Sequence, residues 1–235
     1  RQLLRHTSGL AEYIDLPELD PARSWTPAEL IHLAEASGRI GAPGSGHAYT
    51  NTNYIVLGEL VERVTGQEWD TEVRTRIVEP LGLSDTRLIE AKWTAPAHSF
   101  EDGIWVDRTG TVDPSVGGAG GALESTIADL LRFAVALANG ELLSPEQLAA
   151  METFVAAADY SEFGVDHGYG LGLERYATAD VTAFGHMGVG AGHSAFIGFD
   201  RQHGTAVAVQ FNSDVTGGQA ILGLEVLAAL SSSEP

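Results

Sequence analysis

Two short segments carry the side chains whose types and spacing could do chemistry. Residues 48–53 read Ala-Tyr-Thr-Asn-Thr-Asn, so Tyr49 and Asn51 stand two residues apart just before an apolar helical pattern. A phenol can act as a general acid or base if a nearby cation lowers its pKa from about 10. The alternative makes Asn51 or Asn53 the N-cap of the helix and Tyr49 a packing residue, and spacing alone favours that alternative.

The second segment is Phe184-Gly-His-Met-Gly188, which is placed at the end of one predicted strand and before a glycine-rich turn. A glycine there lets a ligand approach the backbone closely, and an edge strand can bind an extended substrate through main-chain hydrogen bonds. The alternative is a plain β-turn with His186 at the surface, which spacing alone again favours.

Other motifs of nucleotide and metal sites are incomplete. Gly117–Gly121 precedes a helix but lacks the Lys-Ser/Thr ending of a phosphate-binding loop. The glycines of 185–192 lead into a strand, which argues against a dinucleotide-binding turn. The eight histidines contain no His-Glu-x-x-His, so no metal or other cofactor is predicted. Ser8 lies close to His6, but neighbours in sequence do not make a catalytic triad, and a structured turn is the expected role.

Composition excludes several classes of protein. The 235 residues contain 32 acidic and 13 basic side chains, giving a formal charge of −19, so no basic patch for nucleic acid can form. No window approaches 18 consecutive apolar residues, so no membrane span is predicted. Cysteine is absent, which excludes disulfides and thiol catalysis.

The elements that must position these residues follow from periodicity and capping. Helices are predicted over 26–38, 53–65, 70–77, 126–140, 144–151 and 218–230. Short strands are predicted over 169–176, 181–186, 193–200 and 205–212, and residues 200–204 should form a hairpin loop. A helical region followed by an antiparallel sheet and a covering C-terminal helix is an α+β arrangement. We expect a mainly helical part over 1–165 and a part made of strands and one helix over 166–235.

Six segments, taken in order, resemble the serine β-lactamase and D-alanyl-D-alanine carboxypeptidase (penicillin-binding) family, in its class C branch. They are Arg1-Gln-Leu-Leu-Arg-His-Thr-Ser-Gly-Leu10, Tyr49–Gly66, Pro80-Leu-Gly-Leu-Ser-Asp-Thr86, Gly121–Leu130, Gly168-Tyr-Gly-Leu-Gly-Leu173 and Gly185-His-Met-Gly188. The resemblance covers nearly the whole chain and implies a β-lactamase/transpeptidase-like fold.

The resemblance also implies roles for single residues. Tyr49 resembles the general acid/base of the family's Tyr-x-Asn motif, and Asn51 resembles the residue that hydrogen-bonds the substrate amide. His186-Met187-Gly188 resembles the Lys/His-Thr-Gly strand, in which His186 supports charge near the tyrosine and the substrate. The Val189 N–H would be one oxyanion donor. Met187 departs from the usual Thr or Ser and offers no hydroxyl to a substrate carboxylate, which favours a less specific esterase or amidase.

The nucleophile of this family belongs to a Ser-x-x-Lys motif. Lys92 is the only lysine, and Ile89 stands three residues before it, so the motif does not occur in these 235 residues. The family places it upstream of the segment that matches Arg1. We therefore expect a chain that lacks the N-terminal helix, the first strands and the nucleophile, and that is poorly stable alone.

The expected function is a serine hydrolase acting through an acyl-enzyme on a D-Ala-D-Ala-type peptide, a β-lactam or a small ester. The expected partners are that small-molecule or peptide substrate and an N-terminal segment of the same protein. The alternatives are a non-catalytic penicillin-binding-like domain and a metal-dependent hydrolase. The sequence leaves the compartment open, and the resemblance favours an extracellular or cell-envelope location.

Overall fold

The computed structural model describes residues 1–89, 95–157, 163–214 and 217–232. Lys92 lies outside these ranges. The helices are α1 (Pro27–Ala36), α2 (Thr52–Thr65), α3 (Trp69–Val73), α4 (Glu79–Leu81), α5 (Ile127–Ala138), α6 (Pro145–Met151) and α7 (Gly218–Ser231). None of the helices in the described ranges has the length and apolar character that crossing a bilayer requires.

The described ranges also contain ten strands, six of which follow one another between α6 and α7. They are β1 (Arg87–Leu88), β2 (His98–Glu101), β3 (Ile104–Asp107), β4 (Leu123–Glu124), β5 (Val155–Ala156), β6 (Asp166–Tyr169), β7 (Glu174–Ala177), β8 (Thr182–Gly190), β9 (His193–Asp200) and β10 (Thr205–Phe211). The largest sheet has six strands in the order β10-β9-β8-β7-β6-β5, and every neighbouring pair is antiparallel. The predicted α+β class is confirmed.

Local sequence explains where several elements begin and end. The Thr26 hydroxyl accepts from the Glu29 N–H while the Glu29 carboxylate accepts from the Thr26 N–H, which is the predicted capping box of α1. Helix α2 ends at Gly66, whose φ of +73° is accessible to glycine at little cost. Asp200 pairs with Thr205 across the predicted hairpin loop.

Two predicted elements are divided or joined differently in the structure. The predicted strand 169–176 is two strands, because the chain turns between Tyr169 and Glu174 and the Gly170 N–H donates to the Leu173 carbonyl at 2.7 Å. The predicted helix 70–77 does not stop before Pro80. A π-helical segment, Arg74–Val78, joins α3 to α4, and its wider turn accommodates a proline, which cannot donate a helical hydrogen bond.

The chain forms two compact units. The first comprises Arg1–Thr94 and Gly110–Glu124, and the second comprises Ala95–Thr109 and Ser125–Pro235. The first unit is built around a buried cluster of Tyr13, Leu30, Ala34, Ile55 and Val116. This cluster packs α1 and α2 against the N-terminal segment.

In the second unit helices cover both faces of the six-stranded sheet. Leu224 and Leu227 of α7 pack on a cluster that contains Tyr176 and Phe196. A separate cluster joins α5 and α6 to the sheet through residues such as Leu137, Leu148, Leu173 and Phe199. The predicted C-terminal covering helix is confirmed. Helices α5 and α6 pack against the sheet, although the sequence analysis placed them in the helical part. The predicted division into domains 1–165 and 166–235 stays a prediction.

Candidate active site

In the first unit, Tyr49 and Asn51 stand at the start of α2. Asn51 occupies the N-cap position, but its side chain makes no capping hydrogen bond. Its Nδ2 donates instead to Glu12 Oε2 at 2.9 Å, and its backbone N–H donates to the same oxygen at 2.7 Å. A Cβ added at Gly120 would lie 3.6 Å from Asn51 Oδ1, so this glycine leaves space beside the amide oxygen. Glu12 therefore fixes which end of the Asn51 amide can accept a hydrogen bond.

The ring of Tyr49 rests on a buried histidine. The His6 and Tyr49 rings are stacked with their centroids 4.1 Å apart, and the Tyr54 ring stacks on His6 at 5.3 Å. His6 is fully buried, whereas 46% of Tyr49 is exposed. The phenol therefore combines a fixed ring with access to solvent, which a simple packing residue does not need.

His6 also fixes the backbone that follows Tyr49. Its Nδ1 accepts from the Thr50 N–H at 3.0 Å and lies 3.1 Å from Asn53 Nδ2. Because Nδ1 accepts a backbone N–H, it carries no proton, and the imidazole is neutral with its proton on Nε2. The backbone of His6 has a φ of +53°, a left-handed conformation that few residues other than glycine, asparagine, aspartate and histidine adopt.

Ser8 is a structural residue in this unit. Its hydroxyl donates to Asn53 Oδ1 at 2.6 Å and accepts from the Leu10 N–H at 3.1 Å. Ser8 is buried. Its proton is directed to Asn53 and away from the Nδ1 of His6, so the expected role in a structured turn agrees with the geometry.

Tyr13 lies beneath the segment and stays neutral. Burial, with the nearby charges of Glu12 and Tyr49, raises the pKa of Tyr13 well above its ordinary value of 10. Its hydroxyl donates to the Val116 carbonyl at 2.5 Å. In the first unit the Tyr49 phenol is therefore half-exposed, whereas the Tyr13 phenol is buried.

In the second unit, His186 lies in the middle of β8 with both ring nitrogens engaged. Nδ1 is 2.5 Å from the Met187 carbonyl, and Nε2 is 2.8 Å from the Tyr169 hydroxyl. A carbonyl can only accept, so Nδ1 carries a proton. Tyr169 is fully buried and its ring stands at 90° to the imidazole. The predicted surface turn is wrong for His186, because β8 continues through it to Gly190.

A buried carboxylate stands beside this strand. Glu174 Oε2 accepts from the Met187 N–H at 3.1 Å and from the Tyr176 hydroxyl, and Oε1 lies 3.5 Å from His167 Nε2. Burial acts to raise the pKa of Glu174, but the charge of His186, the proximity of His167 and the hydrogen bond from Tyr176 outweigh it. The resulting pKa is about 2 instead of 4.5, so Glu174 is ionised at neutral pH.

Residues 187–189 offer mainly backbone groups. The Met187 side chain packs against the cluster beneath α7, and its Sδ lies 3.9 Å from Gln219 Nε2. Gly188 and Val189 are exposed. Peptide groups along a strand point to alternate edges, so the Val189 N–H lies on the same edge as the Met187 N–H. An extended substrate can bind such an edge through its main chain.

Sequence reasoning missed Glu12, His6, Tyr169 and Glu174. His6 and Tyr169 lie inside segments that carried the family resemblance, and Glu174 directly follows one of them. Their position in or next to these segments was the one signal that could have identified these three residues. In the described ranges no group of three or more histidine, aspartate or glutamate side chains could hold a metal ion.

Comparisons with known proteins identify the family of this chain. The family model described as Beta-lactamase matches residues 1–230, so the chain belongs to the Beta-lactamase family. Penicillin-binding protein 4 of Amycolatopsis lactamdurans is 29% identical over 230 residues, which are 91% of this chain and 59% of that protein. The chain thus spans about three fifths of this curated relative.

Solved structures with the same fold include two amide-cleaving enzymes. A D-stereospecific amidohydrolase from Streptomyces sp. is 32% identical with a TM-score of 0.84, covering 94% of this chain and 70% of that one. The D-amino acid amidase of Ochrobactrum anthropi SV3 is 26% identical with a TM-score of 0.86, covering 99% and 71%. The predicted β-lactamase/transpeptidase-like fold is confirmed.

Proposed function

We propose that this protein is a serine hydrolase that forms an acyl-enzyme on amides or esters of D-amino acids. The observation that carries the proposal is the half-exposed Tyr49 phenol stacked on the neutral imidazole of His6, next to an Asn51 amide oriented by Glu12. Membership of the Beta-lactamase family and the amidase fold relatives support the reaction class.

The nucleophile is proposed to be a serine outside residues 1–235, since these residues contain no Ser-x-x-Lys. In the first step the Tyr49 phenolate takes the serine proton as Oγ attacks the substrate carbonyl, and it passes this proton to the leaving amine as the C–N bond breaks. In the second step water attacks the acyl ester, gives its proton to the Tyr49 phenolate and releases the serine, to which Tyr49 returns a proton. Atoms and protons balance over the two steps.

Other residues would position the substrate. With Asn51 Nδ2 held by Glu12, its Oδ1 is the atom that would accept the substrate amide N–H. From the family resemblance, the Val189 N–H would stabilise the oxyanion, Gly188 would admit the acyl group close to the strand, and His186 would support developing charge.

The Met187 backbone rather than its side chain would face the substrate, because that side chain packs beneath α7 and has no hydroxyl. A free substrate carboxylate therefore finds no hydroxyl partner at this position. We expect amides and esters to be hydrolysed faster than peptides that end in a free D-alanine carboxylate.

The test uses the product of the complete open reading frame that contains this chain. D-phenylalanine amide, L-phenylalanine amide, a D-Ala-D-Ala peptide and a fluorescent penicillin are assayed together, and intact mass reports the acyl adduct. Hydrolysis that prefers the D-amide is expected. A folded protein with no turnover and no adduct would refute the proposal and favour the alternative, a non-catalytic penicillin-binding-like domain.

Tyr49→Phe supplies the residue-level test. Removal of the phenolic oxygen, which carries the proton in both steps, should lower kcat by about 10²–10⁴-fold, the usual contribution of a general acid/base. Tyr54→Phe is the matched control, because that ring also stacks on His6 while its hydroxyl lies 3.4 Å from the Leu4 carbonyl. An active Tyr49→Phe enzyme would exclude this role for Tyr49.

A further inference from the structure

At the edge of β8, the Glu174 side chain accepts a hydrogen bond that a neighbouring strand would otherwise accept. Strand β7 pairs with β8 from Thr182 to Gly185, where Gly185 is opposite Glu174. The next N–H that points to this edge belongs to Met187, and the acceptor it meets is the Glu174 carboxylate at 3.1 Å. A side-chain carboxylate thus substitutes for the carbonyl that another strand residue would have supplied.

The Met187 peptide links this carboxylate to His186. Its N–H is held by Glu174, and its carbonyl accepts from Nδ1 of His186 at 2.5 Å. A shift of the Met187 backbone would therefore move the acceptor that holds the imidazole. The Val189 N–H, two residues along the same edge, would move with it.

The carboxylate itself is firmly held. Glu174 is 3% exposed, and it receives the Tyr176 hydroxyl in addition to the Met187 N–H. His167, which stacks on Tyr176 with ring centroids 4.9 Å apart, lies against its other oxygen. A buried carboxylate with several donors is a rigid acceptor, because any displacement leaves a charge unpaired.

We propose that Glu174 is a positioning residue that fixes the Met187 peptide and, through it, the imidazole of His186 and the Val189 N–H. It touches no substrate in this scheme. The catalytic consequence rests on the proposed function, whereas the structural link between Glu174 and His186 does not.

The experiment separates the hydrogen bond of Glu174 from its charge. Glu174→Gln keeps the length of the side chain and an oxygen for the Met187 N–H, but it removes the charge. Glu174→Asp keeps the charge and withdraws the carboxylate by one methylene. Asp200→Asn is the control, because Asp200 is another buried carboxylate of the same sheet and is bonded to His203 instead.

The first readout is the histidine ring spectrum of the ¹⁵N-labelled full-length protein, with His186 assigned by its absence in His186→Asn. We expect a slowly exchanging Nδ1 proton of His186 in the wild type, in Glu174→Gln and in the Asp200→Asn control. In Glu174→Asp that signal should broaden or disappear, and the Met187 amide should exchange at least tenfold faster.

The second readout is hydrolysis of D-phenylalanine amide. Glu174→Asp should lose about 10²-fold in kcat with a smaller change in KM, since misplacement of about 1 Å has that cost, and Glu174→Gln should lose less than about tenfold. Loss of the His186 signal in Glu174→Gln with retention in Glu174→Asp would overturn the proposal, because charge would then matter more than the hydrogen bond.

The two proposals fail separately. An inactive wild-type protein whose His186 signal depends on Glu174 in this way would refute the proposed function and support the positioning role. An active enzyme whose His186 and Met187 signals are the same in both Glu174 variants would refute the positioning role alone. If Glu174→Asp does not fold, Glu174→Gln still decides, because loss of its His186 signal contradicts the proposal.

Discussion

Replacing His6 by phenylalanine tests whether a buried hydrogen-bond acceptor holds the segment that carries Tyr49. Phenylalanine keeps an aromatic ring for the two tyrosines that stack on His6, but it has no Nδ1. The Thr50 N–H and the Asn53 amide, both buried, then lose their acceptor. The stacking area is retained, so the loss comes from the hydrogen bonds and from the backbone conformation of residue 6.

The size of the effect follows from these contacts. A buried donor left without a partner costs about 1–3 kcal/mol, so two of them cost about 2–6 kcal/mol. Phenylalanine tolerates the φ of +53° at this position less well than histidine, which adds about 1 kcal/mol. The total is a large fraction of the 5–15 kcal/mol that stabilises a typical domain.

Urea unfolding followed by fluorescence measures the global loss, and Trp25 and Trp69 report on the first unit. Hydrogen exchange of the Thr50 amide measures the local loss, with about a tenfold acceleration for each 1.4 kcal/mol. Tyr54→Phe, which keeps the stacking and removes a long hydrogen bond, should cost less than about 1 kcal/mol. A His6→Phe protein within 1 kcal/mol of the wild type and with unchanged Thr50 exchange would show that the Nδ1 contacts are unimportant.

Three further outcomes follow from the structure. A Cβ at Gly185 would lie 1.9 Å from the Ile197 carbonyl oxygen, so Gly185→Ala should unfold or strongly destabilise the protein. Gly188→Ala on the same strand, where nothing lies within 4 Å, should change the unfolding midpoint little. The pKa of Glu174 is lowered from 4.5 to about 2, so the ionised side chain contributes on the order of 3 kcal/mol to the free energy of unfolding. This contribution is complete above about pH 4.5 and is lost as the pH falls toward 2. Acid unfolding of Glu174→Gln should lack this pH-dependent loss. Thr26→Ala removes the N-cap of α1 and should cost about 1 kcal/mol in urea unfolding, and no loss would mean that the capping box contributes nothing.

Local patterns were enough to predict the longer helices, the last four strands and their order, whereas β1–β5 were not predicted. The capping boxes at Thr26 and Ser144 place the starts of α1 and α6, because both partners of each box are three residues apart in the sequence. The prediction of one strand over 169–176 was wrong. Tyr169, Leu171 and Leu173 alternate with glycines as in a strand, but Gly172 has a φ of +77° and turns the chain. The conformational freedom of the glycines therefore decided the local structure, and the alternating pattern did not.

The candidate site was only partly predictable for a different reason. Tyr49, Asn51 and His186 were found through segments that resemble a family, and their individual spacing favoured plainer roles. The groups that orient them are distant in the chain. Glu12 is 39 residues from Asn51, and His6 is 44 residues from Thr50. No periodicity connects such pairs, since only the packed fold brings them into hydrogen-bond distance.

Two of the many acidic side chains have a specific structural role. The formal charge of −19 predicts that nucleic acid is not a partner, but it does not distinguish solvent-exposed carboxylates from those that hold a backbone N–H. Glu12 and Glu174 do the same task in the two units: each accepts a backbone N–H, that of Asn51 or of Met187, at a segment that carries candidate site residues. An ionised carboxylate is a stronger acceptor than a carbonyl, and the burial of Glu174 makes its displacement costly. Two carboxylates therefore fix the backbone where the proposed chemistry needs it fixed, and shortening either acid by one methylene, which withdraws the acceptor, should loosen that backbone.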